Sequence, residues 1–362
     1  MAGTSYGVNH PLAVKLWSRK LMSEAIKATW FSKFIGTSAN SIVQIKSETS
    51  KDSGDKVTFG LRARLRGAGV QGDATLEGNE EALTTYDDNV IIDQMRHAVR
   101  SKGKMSEQRV PFNVRDEAKE GLKDWFAERL DVWFFNQLAG YTAETRTLFT
   151  GNQAVVAPDA YHRIFAGTGN AADEDLADTD LFSLSLIDKA VELANTLDHE
   201  TAEGLVPLRP LRMDGEDKYV MFLHDYQVTD LRTTTSTGQW LDIQKAAMAG
   251  GQVSKNPIYT GALGEYNGVI LHKANRVPKG VHSSTGAAID TVRRAVLCGA
   301  QAAAMAFGQG GSLNKMDWTE ELFDYGNQLG VAAGMIAGLK KTRFNDRDFG
   351  TIVVSTYAAK HS

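Results

Sequence analysis

The run GTGNAA, Gly167 to Ala172, has the glycine spacing of a dinucleotide-binding loop. Such a loop must follow a buried strand and open a helix whose free amides face phosphate. Here the acidic run DEDLADTD follows at once, which repels phosphate and opens a helix poorly. Within that run Asp173, Asp175, Asp178 and Asp180 suggest calcium. They miss the EF-hand pattern, with Asp178 where the glycine belongs and Leu184 in place of the bidentate glutamate. HETAE at His199 begins like a zinc-protease motif, but Glu203 stands where the second histidine is required. His224 closes an apolar run and reads as a structural histidine. Ser283, Ser284 and Thr285 lack the strand–turn–helix setting of an activated serine. These fragments form no constellation for catalysis, cofactor binding or metal ligation.

A different kind of chemistry is written in KVTFGLRARLR, where Leu61, Ala63 and Leu65 alternate with Arg62, Arg64 and Arg66. A single-stranded nucleic-acid groove interleaves cations with stacking aromatics, and only Phe59 is near. Ion pairing with a carboxylate-bearing surface is the better reading of the arginine face. The segment that follows, GAGVQGDATLEGNEEA, interrupts the β pattern for about 16 residues, longer than an ordinary hairpin turn. NVIIDQMRHAVRSKG supplies an expected returning strand. A two-stranded ribbon of this kind is marginal in water on its own, so it needs another surface to lie on.

The 362 residues have ordinary globular composition, 42% hydrophobic and 23% charged, with a net charge of -4. That balance gives no bulk basic character for nucleic-acid binding. Cys298 is the sole cysteine, which excludes an intrachain disulfide and a thiolate metal cluster. The N-terminal stretch lacks the apolar core of a secretory signal, and no run approaches membrane-span length. The expectation is a soluble product made in the cytoplasm.

The elements that must carry these residues read as α+β. Residues 11–35 form a basic amphipathic lead segment, with Met22, Ile26, Trp30 and Phe34 every four residues. It is either a surface helix of the same fold or an arm for a neighbouring subunit. The strongest helix runs from an Asn113 cap to a Gly140 stop, with Asp116 and Glu117 in its first turn. It carries a stripe of Ala118, Leu122, Phe126, Leu130, Trp133 and Leu138, and from Val114 to Ala139 it would span about 40 Å. A second helix is expected over 182–199, a buried strand at KYVMFLH, helices at DYQVTDLRTT and GQWLDIQKAAMAGG, and strands toward the end, closing with FGTIVVSTYAA.

Six segments in order resemble the major capsid proteins of tailed phages, in the group typified by the capsid protein of phage N4. They are GVQGDATLEGNEEAL (69–83), MRHAVRSKGKMSEQRVPF (95–112), WFFNQLAG (133–140), FLHDYQVTDLRT (222–233), TGALGEYNGVILH (260–272) and NDRDFGTIVVST (345–356). The resemblance implies the HK97-like fold. Its parts would be an N-terminal arm (1–45), an extended β-loop with flanking strands (46–104), and a peripheral domain (105–214) built on a spine helix at 113–139. An axial domain (215–330) and returning C-terminal strands (331–362) would complete it. In that family the extended loop crosses a neighbouring subunit. Arg62, Arg64 and Arg66 are then expected to meet Glu117, Glu120, Asp124 and Glu128, with Trp17 and Trp30 as further contacts from the arm. The implied function is mechanical. Pentamers and hexamers of the chain would close into an icosahedral shell of the virion, assembled in the host cytoplasm around double-stranded DNA without reading its sequence. Portal, scaffolding or decoration proteins are the implied partners, with no cofactor and no membrane. The alternatives are an encapsulin-like compartment for protein cargo and an enzyme using the Gly167–Ala172 loop.

Overall fold

A computed structural model describes residues 21–46 except 23, 54–62, 69–80 except 74, 85–109, 111, 113–197, 205–213, 215–233, 263–308 and 316–361. Two sheets share one long helix. In the first sheet, Gln328–Lys341 is the axis: it pairs antiparallel with Asp93–Arg100, with Asp317–Phe323 and with Ala303–Phe307. Val43–Lys46 adds to Ala303–Phe307 in parallel. In the second sheet, Ala288–Cys298 pairs antiparallel with both Thr351–Tyr357 and Glu216–Leu223, and Val269–Lys273 runs parallel to Glu216–Leu223.

The long helix, Val114–Ala139, has the ends its sequence specifies. The Asn113 side chain accepts the Arg115 amide, and Gly140 closes the helix in the left-handed conformation at φ 62°. No larger residue fits there, because a Cβ on Gly140 would lie 2.6 Å from Pro158 Cδ. Leu122, Phe126, Leu130 and Phe134 join one core with Met95, Trp318, Val331, Ala333 and Met335 of the first sheet.

Glu216–Leu223 explains its near-continuous apolar run. Val220 and Phe222 enter the core of the long helix, whereas Tyr219, Met221 and Leu223 enter a second core with helix Leu184–Thr196. A strand covered on both faces has no polar side to display.

Three expectations change. The lead segment is not free of its own subunit from residue 21 onward. Leu21, Met22, Ala25 and Phe31 are wholly buried, and Phe31 stacks on Phe134 at 4.4 Å. The helical register ends near residue 28 and a short 3-10 turn (Ser32–Phe34) follows. The period-four stripe therefore breaks, and Phe31 is buried in place of Trp30.

The returning strand of the hairpin is Thr85–Ile91, in register with Lys56–Arg62. Of the segment NVIIDQMRHAVRSKG expected in that role, only Asn89, Val90 and Ile91 belong to it; Asp93–Arg100 instead joins the first sheet beside Gln328–Lys341. The boundaries at 215 and 330 do not follow the sheets either. Ala303–Phe307 and Asp317–Phe323 lie in the first sheet with Gln328–Lys341, while Thr351–Tyr357 returns to the second. Pairing between strands so distant in sequence leaves no local signal.

Candidate assembly site

Among the described residues, those of the hairpin tip are the least covered. The hairpin root is covered: Val57 and Val90 are buried against Ala304 and Ala306. Farther out, every described residue of 69–80 is exposed except half-buried Val70, and Leu76 presents 61% of its surface. Arg62 ends the described strand, paired across to Thr85. Its side chain lies outside the described residues, as do Arg64, Arg66 and Trp17.

The four carboxylates proposed to receive the arginines do share one exposed face of the long helix, at spacings of three and four residues. Three of them already have cations. Lys123 bonds Glu120 and lies 3.7 Å from Asp124, and Arg276 Nη1 is 3.0 Å from Glu128. The Lys123 hydrogen bond holds the Glu120 carboxyl below its ordinary range. Glu117 makes no ion pair among the described residues, so it is the acid most open to an outside cation.

Trp30, 43% exposed, is tied to its own subunit through the backbone. Its amide donates to Asp131 Oδ1 at 2.9 Å. Burial pushes the Asp131 carboxyl up to about 7, against the opposing pull of that amide and of Arg276.

The imitations of catalytic motifs resolve into structural roles. In the Gly167–Ala172 loop the amides that would face phosphate are occupied: Asp175 Oδ2 accepts from Ala171 and Ala172 at 3.1 and 3.0 Å. Asp180 accepts from Asn170 at 2.8 Å, and a Cβ on Gly167 would stand 2.3 Å from its other oxygen. A nucleotide has no place there. Asp173 is buried against Arg294 Nε at 2.8 Å, and Arg294 Nη1 caps the long helix at the Gly140 carbonyl, 2.7 Å away. His224 caps the helix Asp225–Thr233, its Nδ1 accepting the Tyr226 amide at 3.2 Å. Burial, with Arg293 nearby, lowers His224 to about 4, which suits an acceptor that stays neutral. His199 lies outside the described residues.

Comparison with known proteins agrees with a mechanical site. The family model for phage capsid proteins matches residues 5–360. The chain belongs to the phage capsid protein family. It is 30% identical to the major capsid protein of Pseudomonas phage KPP25, over 95% of this chain and 94% of that one. Among solved structures it is similar to the capsid of Ralstonia phage GP4, with 41% identity, a TM-score of 0.79 and 92% of each chain covered. The capsid of cyanophage Pam1 shares the fold at 22% identity and a TM-score of 0.73, over 93% of this chain and 94% of that one. The subunit is thus a phage major capsid protein with the HK97-like fold, a component of the virion that assembles with its own copies into a shell. The family is structural, and the expected absence of enzyme chemistry agrees with it.

Sequence reading missed the buried charges at the root of the hairpin, above all Asp88. A signal existed. In TYDDNVI, Tyr86, Asp88 and Val90 share one face of the strand, so the carboxylate sits where alternation calls for an apolar side chain.

Proposed function

We propose that the capsid subunit forms pentamers and hexamers that close into an icosahedral shell around double-stranded DNA, with the hairpin as the arm that reaches over the neighbouring copy. The observation that carries this reading is the distal hairpin itself, whose described residues 69–80 stand exposed except half-buried Val70. Ordering such a segment costs conformational entropy that only a partner surface can offset. Arg62, Arg64 and Arg66 then meet the acidic face of the neighbour's long helix, at Glu117 first and at Glu120, Asp124 and Glu128 in exchange for their present cations. Exposed pairs contribute about 0–1 kcal/mol each, and a closed symmetric assembly repeats them at every interface.

In this reading the first sheet and the long helix are the peripheral domain and the second sheet the axial domain. Trp17 and the exposed indole of Trp30 add contacts from the arm. The net charge of -4 suits a container whose lining must let DNA pack and leave. The phage relatives favour DNA over the protein cargo of an encapsulin. A portal protein, scaffolding or decoration proteins and assembly in the host cytoplasm complete the proposal, as does kinship with the phage N4 group.

Charge reversal tests it. Arg64→Glu should leave a folded subunit and cut the yield of closed shells in negative-stain images at least severalfold, and Glu117→Arg in the same chain should restore part of it. Full shell yield from Arg64→Glu alone would remove the arginine row from the interface.

A further inference from the structure

A reaching arm needs a defined exit direction, and the hairpin root is built to provide one. Asp88, 5% exposed, stands in the strand Thr85–Ile91. Its Oδ1 pairs with Lys340 Nζ, and its Oδ2 accepts the Arg343 amide at 2.9 Å. Lys340 Nζ also reaches the Asn89 carbonyl at 3.2 Å. The carboxylate thus grips the chain at two points, Lys340 at the end of Gln328–Lys341 and Arg343 just beyond it.

The apolar contact around it is thin. Among the described residues Val57, Val90 and Ile92 cluster with the small side chains of Ala304 and Ala306, with Phe59 and Ile336 at the margin and Phe344 edge-on to Phe59. Backbone crosses backbone beside this seam: a Cβ on Gly338 would lie 2.1 Å from the Ile91 carbonyl oxygen. Backbone thus meets backbone close to the Asp88 contacts.

The grip extends inward. Arg343 Nε bonds Asp348 Oδ1 at 3.0 Å, and Asp348 Oδ2 holds the buried Lys341 Nζ at 2.8 Å. The Asp348 amide donates to Asp159 Oδ2 at 2.8 Å, an oxygen that also lies 2.8 Å from His162 Nδ1. The His162 carbonyl accepts from Val353 in the second sheet. A series of polar contacts therefore leads from the hairpin root through Asp348 to Asp159, beside the second sheet.

We propose that Asp88 is a positioning residue for assembly: by clamping the hairpin to Lys340 and the Arg343 amide, it fixes the direction in which the arm leaves its subunit. The inference rests on the hairpin being the inter-subunit arm. Loss of one side of a buried charge pair leaves the other uncompensated, and the apolar cluster beside it is small.

The test uses the full-length chain with Asp88→Asn, which keeps the shape and removes the charge. Hydrogen exchange in unassembled subunits should quicken roughly tenfold or more over 85–92 and 338–344, with 114–139 unchanged, and closed shells should fall severalfold. Parental exchange in both segments would overturn the clamp. Faster exchange with a parental shell yield would overturn its role in positioning. If Asp88→Asn loses protection throughout the chain, Lys340→Met decides by the same two readouts. Removal of residues 69–80 separates the two readings. Shells from that variant overturn the arm itself, whereas their loss, beside parental assembly of Asp88→Asn, overturns only the part given to Asp88.

Discussion

The long helix and the hairpin are both elongated elements, and they are held by different physics. Along the helix, Phe126, Leu130 and Phe134 are wholly or almost wholly buried, and Phe134 touches three further aromatic rings: Phe31, Phe135 and Phe222. Its attachment is apolar, non-directional and spread over many contacts. The hairpin has a small apolar seam and a directional set of charges around Asp88. The first arrangement suits a beam that must not deform. The second suits an arm whose angle matters more than its total binding. Acidic residues occur in both regions, yet Glu120, Asp124 and Glu128 on the exposed helix face are paired at the surface, where solvent screens them, while Asp88 is shielded.

This contrast can be broken most sharply at the helix. Phe134→Ala should destabilise the whole subunit by about 3–5 kcal/mol through lost transfer energy and the cavity left behind, read as a lower midpoint in urea unfolding. A loss confined to the hairpin would mean that the beam is not the core of the fold.

Asp131 gives a smaller effect with a definite sign. Its carboxyl is raised by burial from 3.8 to about 7 in the folded chain, so the folded state holds a proton that the unfolded state has released. Stability from this group is full below about pH 4 and declines as pH rises toward 7. Asp131→Asn keeps the neutral form at all pH values. It should therefore gain on the order of 1–3 kcal/mol over the parent at pH 8 and little at pH 4. Equal gain at both pH values would assign the effect to packing.

Smallest of all is Leu76→Ser on the exposed hairpin, expected to shift subunit stability by less than about 0.5 kcal/mol while lowering shell yield. A stability loss like that of Phe134→Ala would mean that the hairpin packs on its own subunit.

What could be read from the sequence followed the range of the interactions involved. The long helix was legible to the residue, because the Asn113 cap and the Gly140 stop act within one turn. The strand Glu216–Leu223 was legible from its unbroken apolar run. The lead segment was not, since Phe31 is buried by Phe134, more than 100 residues away, and periodicity pointed to Trp30. Strand partners were hidden for the same reason: Asp93–Arg100 finds Gln328–Lys341 across most of the chain. For the assembly site, the acidic face of the helix was readable from spacing. That Lys123 and Arg276 already occupy three of its four carboxylates required the fold.

The central claim is that the hairpin lies on another copy of the chain. Cryo-electron microscopy of shells assembled from the expressed protein tests it most directly. Density for residues 62–84 should cross a neighbouring subunit, with an arginine of the Arg62, Arg64 and Arg66 row within ion-pair distance of the neighbour's Glu117. A hairpin folded against its own long helix, with no other copy beneath it, would contradict the account.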